Sequence, residues 1–193
     1  MGKRWASEQA VGVALVCAAV ALLALPTPAI ATPEFYRALG IQEPQEMVEA
    51  PDFALPDPAG KIVRLKEFRG RYVFLNFFAT WCGPCREEMP AMERLHQTYS
   101  GKGLVVLAVN LEESSARVAK FVKELRLTFP AVLDGDGTVS RAFAVRGLPV
   151  TYLVDRDGRI LWRAFGSREW NNQAARKYFA AILDSKERKA GGR

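Results

Sequence analysis

Cysteine is scarce in this chain. There are three in 193 residues, and Cys17 lies within an apolar N-terminal run, so only Cys82 and Cys85 remain beyond it. His96 is the single histidine. A structural zinc site needs about four ligands, which this set does not supply, so no metal is expected. There is no flavin, nicotinamide or metal motif, hence no cofactor is expected. Internal repeats and low-complexity segments are missing as well. No basic stripe with interleaved aromatics accompanies the net charge of +6, so nucleic acid is not an expected partner. Nor does any apolar run reach the roughly 20 residues that span a bilayer comfortably.

What is present is globular. Apolar residues make up 49% and charged residues 25%, and the length suits one domain with extensions. Lys3 and Arg4 precede the apolar run Val11 to Leu25, and Ala29-Ile30-Ala31 supplies a small-x-small cleavage pattern. Residues 1–31 therefore read as a signal peptide with a mature start at Thr32, or alternatively as an uncleaved, tilted anchor. Val16 before Cys17 argues against a lipid-attachment site. Both readings place the domain outside the cytoplasm, where oxidised cysteines persist.

Residues 32–50 are rich in Pro and Glu and read as a linker, with a short helix around Phe35–Leu39. The domain is expected over 51–185 and a basic flexible tail over 186–193. Strand-like alternation at 52–55 and 62–65 brackets the turn Asp57-Pro58-Ala59-Gly60. Tyr72–Phe78 is almost continuously apolar and should be a central, doubly buried strand. A helix starts near Cys82, followed by a second buried strand over 104–109. Ser114 can cap a helix reaching Leu125. A short strand (129–133), a short helix (138–145), a hairpin (150–154 with 159–163) and a final helix (169–183) complete the order. Such alternation gives an α/β fold with a mixed central sheet and helices on both faces.

Trp81-Cys82-Gly83-Pro84-Cys85 opens the first long helix directly after that central strand. A loop this short constrains little of the unfolded chain, so a purely structural staple explains it poorly and redox chemistry explains it better. Cys82, at the helix N-terminus, gains thiolate stability from unpaired N–H groups and the helix dipole; Cys85, a turn later, should be more buried. Cys82 is thus the attacking and Cys85 the resolving cysteine. A peroxidatic cysteine is disfavoured, because the preceding stretch lacks the required Pro and its Thr is misplaced.

The segment 77–90, with Cys82-Gly83-Pro84-Cys85 at its centre, resembles the active site of the thioredoxin superfamily. It is nearest to the TlpA/ResA-like branch of exported bacterial thiol-disulfide oxidoreductases. The resemblance runs from about Pro51 to Leu183 and includes 108–113 and 147–152. It implies a thioredoxin-like fold with an N-terminal β-hairpin and a central strand-helix insertion, here about 111–134. It also implies that Pro149 is a cis-proline facing the substrate chain, that Val150 lies where substrate backbone pairs, and that Trp81 shields the site and reports its redox state. Glu113, or failing that Glu112, matches an acid near the cysteines that could shuttle the Cys85 proton. Asn76 stands where thioredoxin carries a buried acid, so that proton must move through water or the Glu112/Glu113 region. Arg86, Glu87 and Glu88 read as the solvated face of the helix, and His96 as a helix-surface residue.

The activity so implied is reduction of disulfides in exported proteins, such as apocytochromes or copper-site proteins, by a monomer fed from a membrane electron donor. Two alternatives stand beside it: an oxidant or isomerase using the same residues, and a non-enzymatic assembly or copper-handling module.

Overall fold

The computed structural model describes residues 33–190, apart from Glu43, Gln45 and Met47. The leader read over 1–31, with Cys17, lies outside these residues. In chain order the elements are α1 (Pro33–Leu39), β1 (Val48–Glu49), β2 (Ala54–Pro56), β3 (Ile62–Arg64), β4 (Tyr72–Phe78), α2 (Gly83–Tyr99), β5 (Leu104–Leu111), α3 (Ser115–Glu124), β6 (Ala131–Asp134), α4 (Thr138–Ala142), β7 (Val150–Val154), β8 (Arg159–Phe165) and α5 (Gln173–Ala190).

The main sheet has the order β1-β8-β7-β4-β5-β6, and β2 and β3 form a separate antiparallel pair. β4, β5 and β6 run parallel, whereas β7 lies antiparallel to both β4 and β8. Parallel neighbours need covered crossovers, and α2 and α3 supply them. β4 is buried along nearly its whole length because both of its sheet faces are covered. Phe74 and Phe78 point into a core built with α2, α3 and α5, while Val73, Leu75 and Phe77 point into a second core closed by α4 and the β2–β3 hairpin. Around Phe74 the rings of Trp162, Trp170 and Phe179 pack edge-on at 4.9–6.3 Å, a favoured aromatic geometry.

Turn chemistry fixes the hairpins. Asp155 Oδ1 accepts the backbone N–H groups of Asp157 and Arg159 at 2.9 and 2.7 Å, setting the β7–β8 turn. Gly158 completes it at φ +85°, a conformation that L side chains rarely adopt, with the Arg69 guanidinium lying over the position an added Cβ would take. Ser114 caps α3 as expected, its Oγ accepting from Arg117 N.

Two sequence expectations change here. The stretch 32–50, read as a linker, folds onto the domain in its described part. Leu39, Ile41 and Ala50 are buried, Gln42 bridges Arg163, and Val48–Glu49 adds an edge strand to β8. Its apolar anchors are too sparse to show periodicity, yet each enters an existing core. At the other end, the flexible tail read over 186–193 is helical as far as Ala190, because α5 starts later and runs longer than the sequence suggested.

Candidate active site

The C-terminal end of β4 delivers the chain into the cysteine pair. Cys82 is the N-cap of α2, Pro84 occupies its first turn where no N–H partner is needed, and the two sulfurs are joined as a disulfide. Cys82 Sγ accepts the N–H of Cys85 at 3.2 Å. Cys82 is 6% exposed and Cys85 fully buried, whereas Trp81 stands out into solvent at 71%. Both cysteines are thus buried, Cys85 the more completely.

The register pairs Phe77 with Val150 and Asn76 with Thr151. This brings the Leu148–Pro149 peptide to the end of β4 from which the cysteine loop departs. That peptide is cis, as the resemblance implied. The Pro149 carbonyl accepts from Gly166 N at 2.9 Å, which ties it to the loop after β8. Val150 does not offer a free edge for substrate. It lies between Phe77 of β4 and Phe165 of β8 with its side chain in the core, so the expectation placed on it is corrected. The unpaired, half-buried residue before the cis bond is Leu148.

Glu113 is close to the cysteine loop but spoken for. Its carboxylate accepts from Thr80 N (2.6 Å), Thr80 Oγ1 (2.6 Å) and Asn110 Nδ2 (2.7 Å), with Arg117 at 3.5 Å. Burial works to raise its pKa, but these hydrogen bonds and the Arg117 charge outweigh it and hold the carboxyl below its ordinary value. A proton shuttle near neutral pH needs the reverse. Glu113 instead anchors the residue two before Cys82. Glu112, the other candidate, is exposed and adopts a positive φ of 53°.

The acid that the sequence reading missed is Glu88. Expected on the solvated face, it is 3% exposed and sits three residues after Cys85, on the same face of α2. Oε1 accepts from Asn76 Nδ2 at 2.8 Å; Oε2 accepts from Trp170 Nε1 at 3.0 Å and Arg168 N at 3.1 Å. Asn76 also donates to Thr151 Oγ1 at 2.9 Å. Burial pushes the Glu88 carboxyl up to about 7, against the opposing pull of these hydrogen bonds and of Arg168. Asn76 therefore does not leave the site without a titratable group; it holds one in place. Of the two buried carboxyls near the cysteine pair, Glu88 and not Glu113 has the raised pKa that proton exchange near neutral pH needs. His96 lies against Phe129, and no group of three or more His, Cys, Asp or Glu could hold a metal among the described residues.

Residues 47–163 match the model of the AhpC/TSA family. The chain belongs to the AhpC/TSA family. Within that family it is similar to the thiol-disulfide oxidoreductase ResA of Bacillus thuringiensis subsp. konkukian, at 40% identity over 120 residues, covering 62% of this chain and 69% of that protein. ResA of Geobacillus thermodenitrificans is 46% identical over 111 residues, covering 58% and 64%. A Chlorobium tepidum structure described as a thiol:disulfide interchange protein DsbE superposes with a TM-score of 0.66 at 36% identity, covering 72% of this chain and 98% of that one. StoA of Bacillus subtilis, at 23% identity and a TM-score of 0.57, shares the fold. This AhpC/TSA member is thus an α/β protein of thioredoxin-like fold and a thiol-disulfide oxidoreductase.

Proposed function

We propose that this protein works outside the cytoplasmic membrane as a reductant of disulfides in exported proteins, with cysteine pairs of apocytochromes or of copper-site proteins as the substrate class. The observation that carries the direction is the buried Glu88 carboxylate on the Cys85 face of α2. A carboxylate there disfavours a neighbouring thiolate, raises the thiol pKa and so favours giving up electrons. Strong oxidants of this chemistry do the opposite and stabilise their reduced form.

In the reaction, the Cys82 thiolate attacks a substrate sulfur, forming a mixed disulfide and releasing one substrate thiolate. The Cys85 thiol gives its proton to Glu88, and the resulting thiolate attacks Cys82 Sγ. The Cys82–Cys85 disulfide forms and the second substrate thiolate leaves. Two electrons have passed to the substrate, and a membrane dithiol donor must restore the pair. Trp81 and the Leu148–Pro149 segment form the face that meets the substrate. Location outside the cytoplasm rests on the N-terminal export pattern; no described helix is long and apolar enough to cross a membrane.

The test is the redox potential, titrated with thiol buffers and followed by Trp81 fluorescence. A value near or below about −270 mV is expected; one towards about −120 mV makes the protein an oxidant and ends this reading. In cells, Cys85→Ala should trap exported partners through Cys82. Stoichiometric copper retention without catalysis would favour the metal-handling alternative.

A further inference from the structure

Arg168 directs its side chain onto the protein's own backbone. Its guanidinium is spent on backbone carbonyls from two segments about 130 residues apart. Nε donates to Leu39 O at 2.6 Å and Nη2 to Gly40 O at 2.6 Å, while Nη1 donates to Phe165 O at 2.8 Å and Gly166 O at 2.9 Å. Four of the roughly five N–H donors of the fork are used. The first two acceptors are carbonyls at the C-terminal end of α1, which lack partners within the helix and attract positive charge. Gly40 has φ +55°, and a Cβ built on it would lie 3.0 Å from Arg168 Nη2.

The loop held on the other side touches both remaining parts of the site. Gly166 N donates to the Pro149 carbonyl, and Arg168 N donates to Glu88 Oε2. The Arg168 side chain therefore ties the end of α1 to the loop 165–168, and the backbone N–H groups of Gly166 and Arg168 tie that loop to the cis-proline carbonyl and to the buried acid of α2.

We propose that Arg168 is a positioning residue that makes residues 39–42 a working part of the dithiol site, by clamping the loop 165–168, which holds the cis-proline carbonyl, onto the end of α1. This rests on the proposed reading of Pro149 as the substrate-facing segment, but not on the direction of electron flow.

The test uses the full chain carrying Arg168→Ala, Arg168→Lys or Gly40→Ala, with Leu183→Val as a core variant remote from the site. Thiol-disulfide exchange with a cysteine-pair peptide is followed by Trp81 fluorescence in whichever direction proceeds. Both clamp-breaking variants, Arg168→Ala and Gly40→Ala, should raise KM roughly fivefold or more, with kcat within about twofold. Amide exchange at 40–42 and at 166 should accelerate at least about tenfold in both. Lysine should not fully rescue, because three donors on one nitrogen cannot reproduce the spread fork that meets four carbonyls. Leu183→Val should leave KM unchanged at a comparable loss of melting temperature. Unchanged KM in the clamp variants, full rescue by lysine, or an equal KM rise in Leu183→Val would overturn the proposal. Unchanged exchange at 40–42 in Arg168→Ala would do so without reference to activity. A redox potential of the oxidant kind would end the reductant reading and leave the clamp standing.

Discussion

Two carboxylates flank the cysteine pair, and their environments push them apart. Glu113 is enclosed, its side chain 4% exposed, but hydrogen bonds hold it ionised. Glu88 also accepts three hydrogen bonds, but there burial dominates. Their removal should therefore have different signatures. Glu113→Gln loses acceptors for Thr80 and Asn110 and should cost about 2 kcal/mol of stability. It should lower the exchange rate while leaving the shape of the pH–rate profile between about pH 6 and 8 intact. A profile that loses its inflection would restore the proton shuttle to Glu113. Glu88→Gln should remove that inflection and raise the redox potential by on the order of 30 mV, the equivalent of about 1.4 kcal/mol. An unchanged potential would show that Glu88 does not act on the thiols.

At the scale of elements, the parts that carry their own signal were readable in advance. β4 coincides with the continuous apolar run 72–78, the Ser114 cap starts α3, and Asp155 with Gly158 closes the last hairpin. Glu88 was misread because neighbouring Arg86 and Glu87 suggested a wet face. Its spacing from Cys85, Met89 and Met92 placed it on the buried side, but carboxylates are seldom buried without partners. Here the partners lie 12, 80 and 82 residues away in sequence, in β4 and the loop before α5. The short helix around Phe35–Leu39 was legible, but its docking was not: Leu39 and Ile41 are only two apolar anchors, and the carbonyls at its end are held by Arg168, far along the chain. A local cap, by contrast, secures α4. Asp134, fully buried at the end of β6, accepts from Val139 N and Ser140 N at 3.1 and 2.7 Å. Asp134→Ala should cost about 2 kcal/mol in urea unfolding and release α4 from the second core. A loss below about 0.5 kcal/mol, the range of a neutral surface change, would mean that the cap is dispensable.

For the molecule as a whole, the raised Glu88 pKa fixes a sign. Folded Glu88 keeps its proton up to about 7, whereas the unfolded chain releases it near 4.5. The protonated acid thus supports the fold fully below 4.5, and that support is lost as pH rises through about 7. The difference is at most about 3 kcal/mol. Glu93 and Glu113, held low by their donors, act the other way and only on acidification below their ordinary range. Glu88→Gln should therefore gain on the wild type between about pH 5 and 8, as measured by urea midpoints at the two pH values. An equal difference at both ends would refute the assignment.

The closed Cys82–Cys85 bridge also turns the chain into its own counter. Denatured and treated with a thiol-reactive mass tag, the domain can take up no tag when oxidised and two when reduced. Cys17 adds one more wherever residues 1–31 are retained. Whether the tag count is even or odd then reports whether Cys17 is present, and its size reports oxidation. A single gel lane from intact cells reads the two events independently.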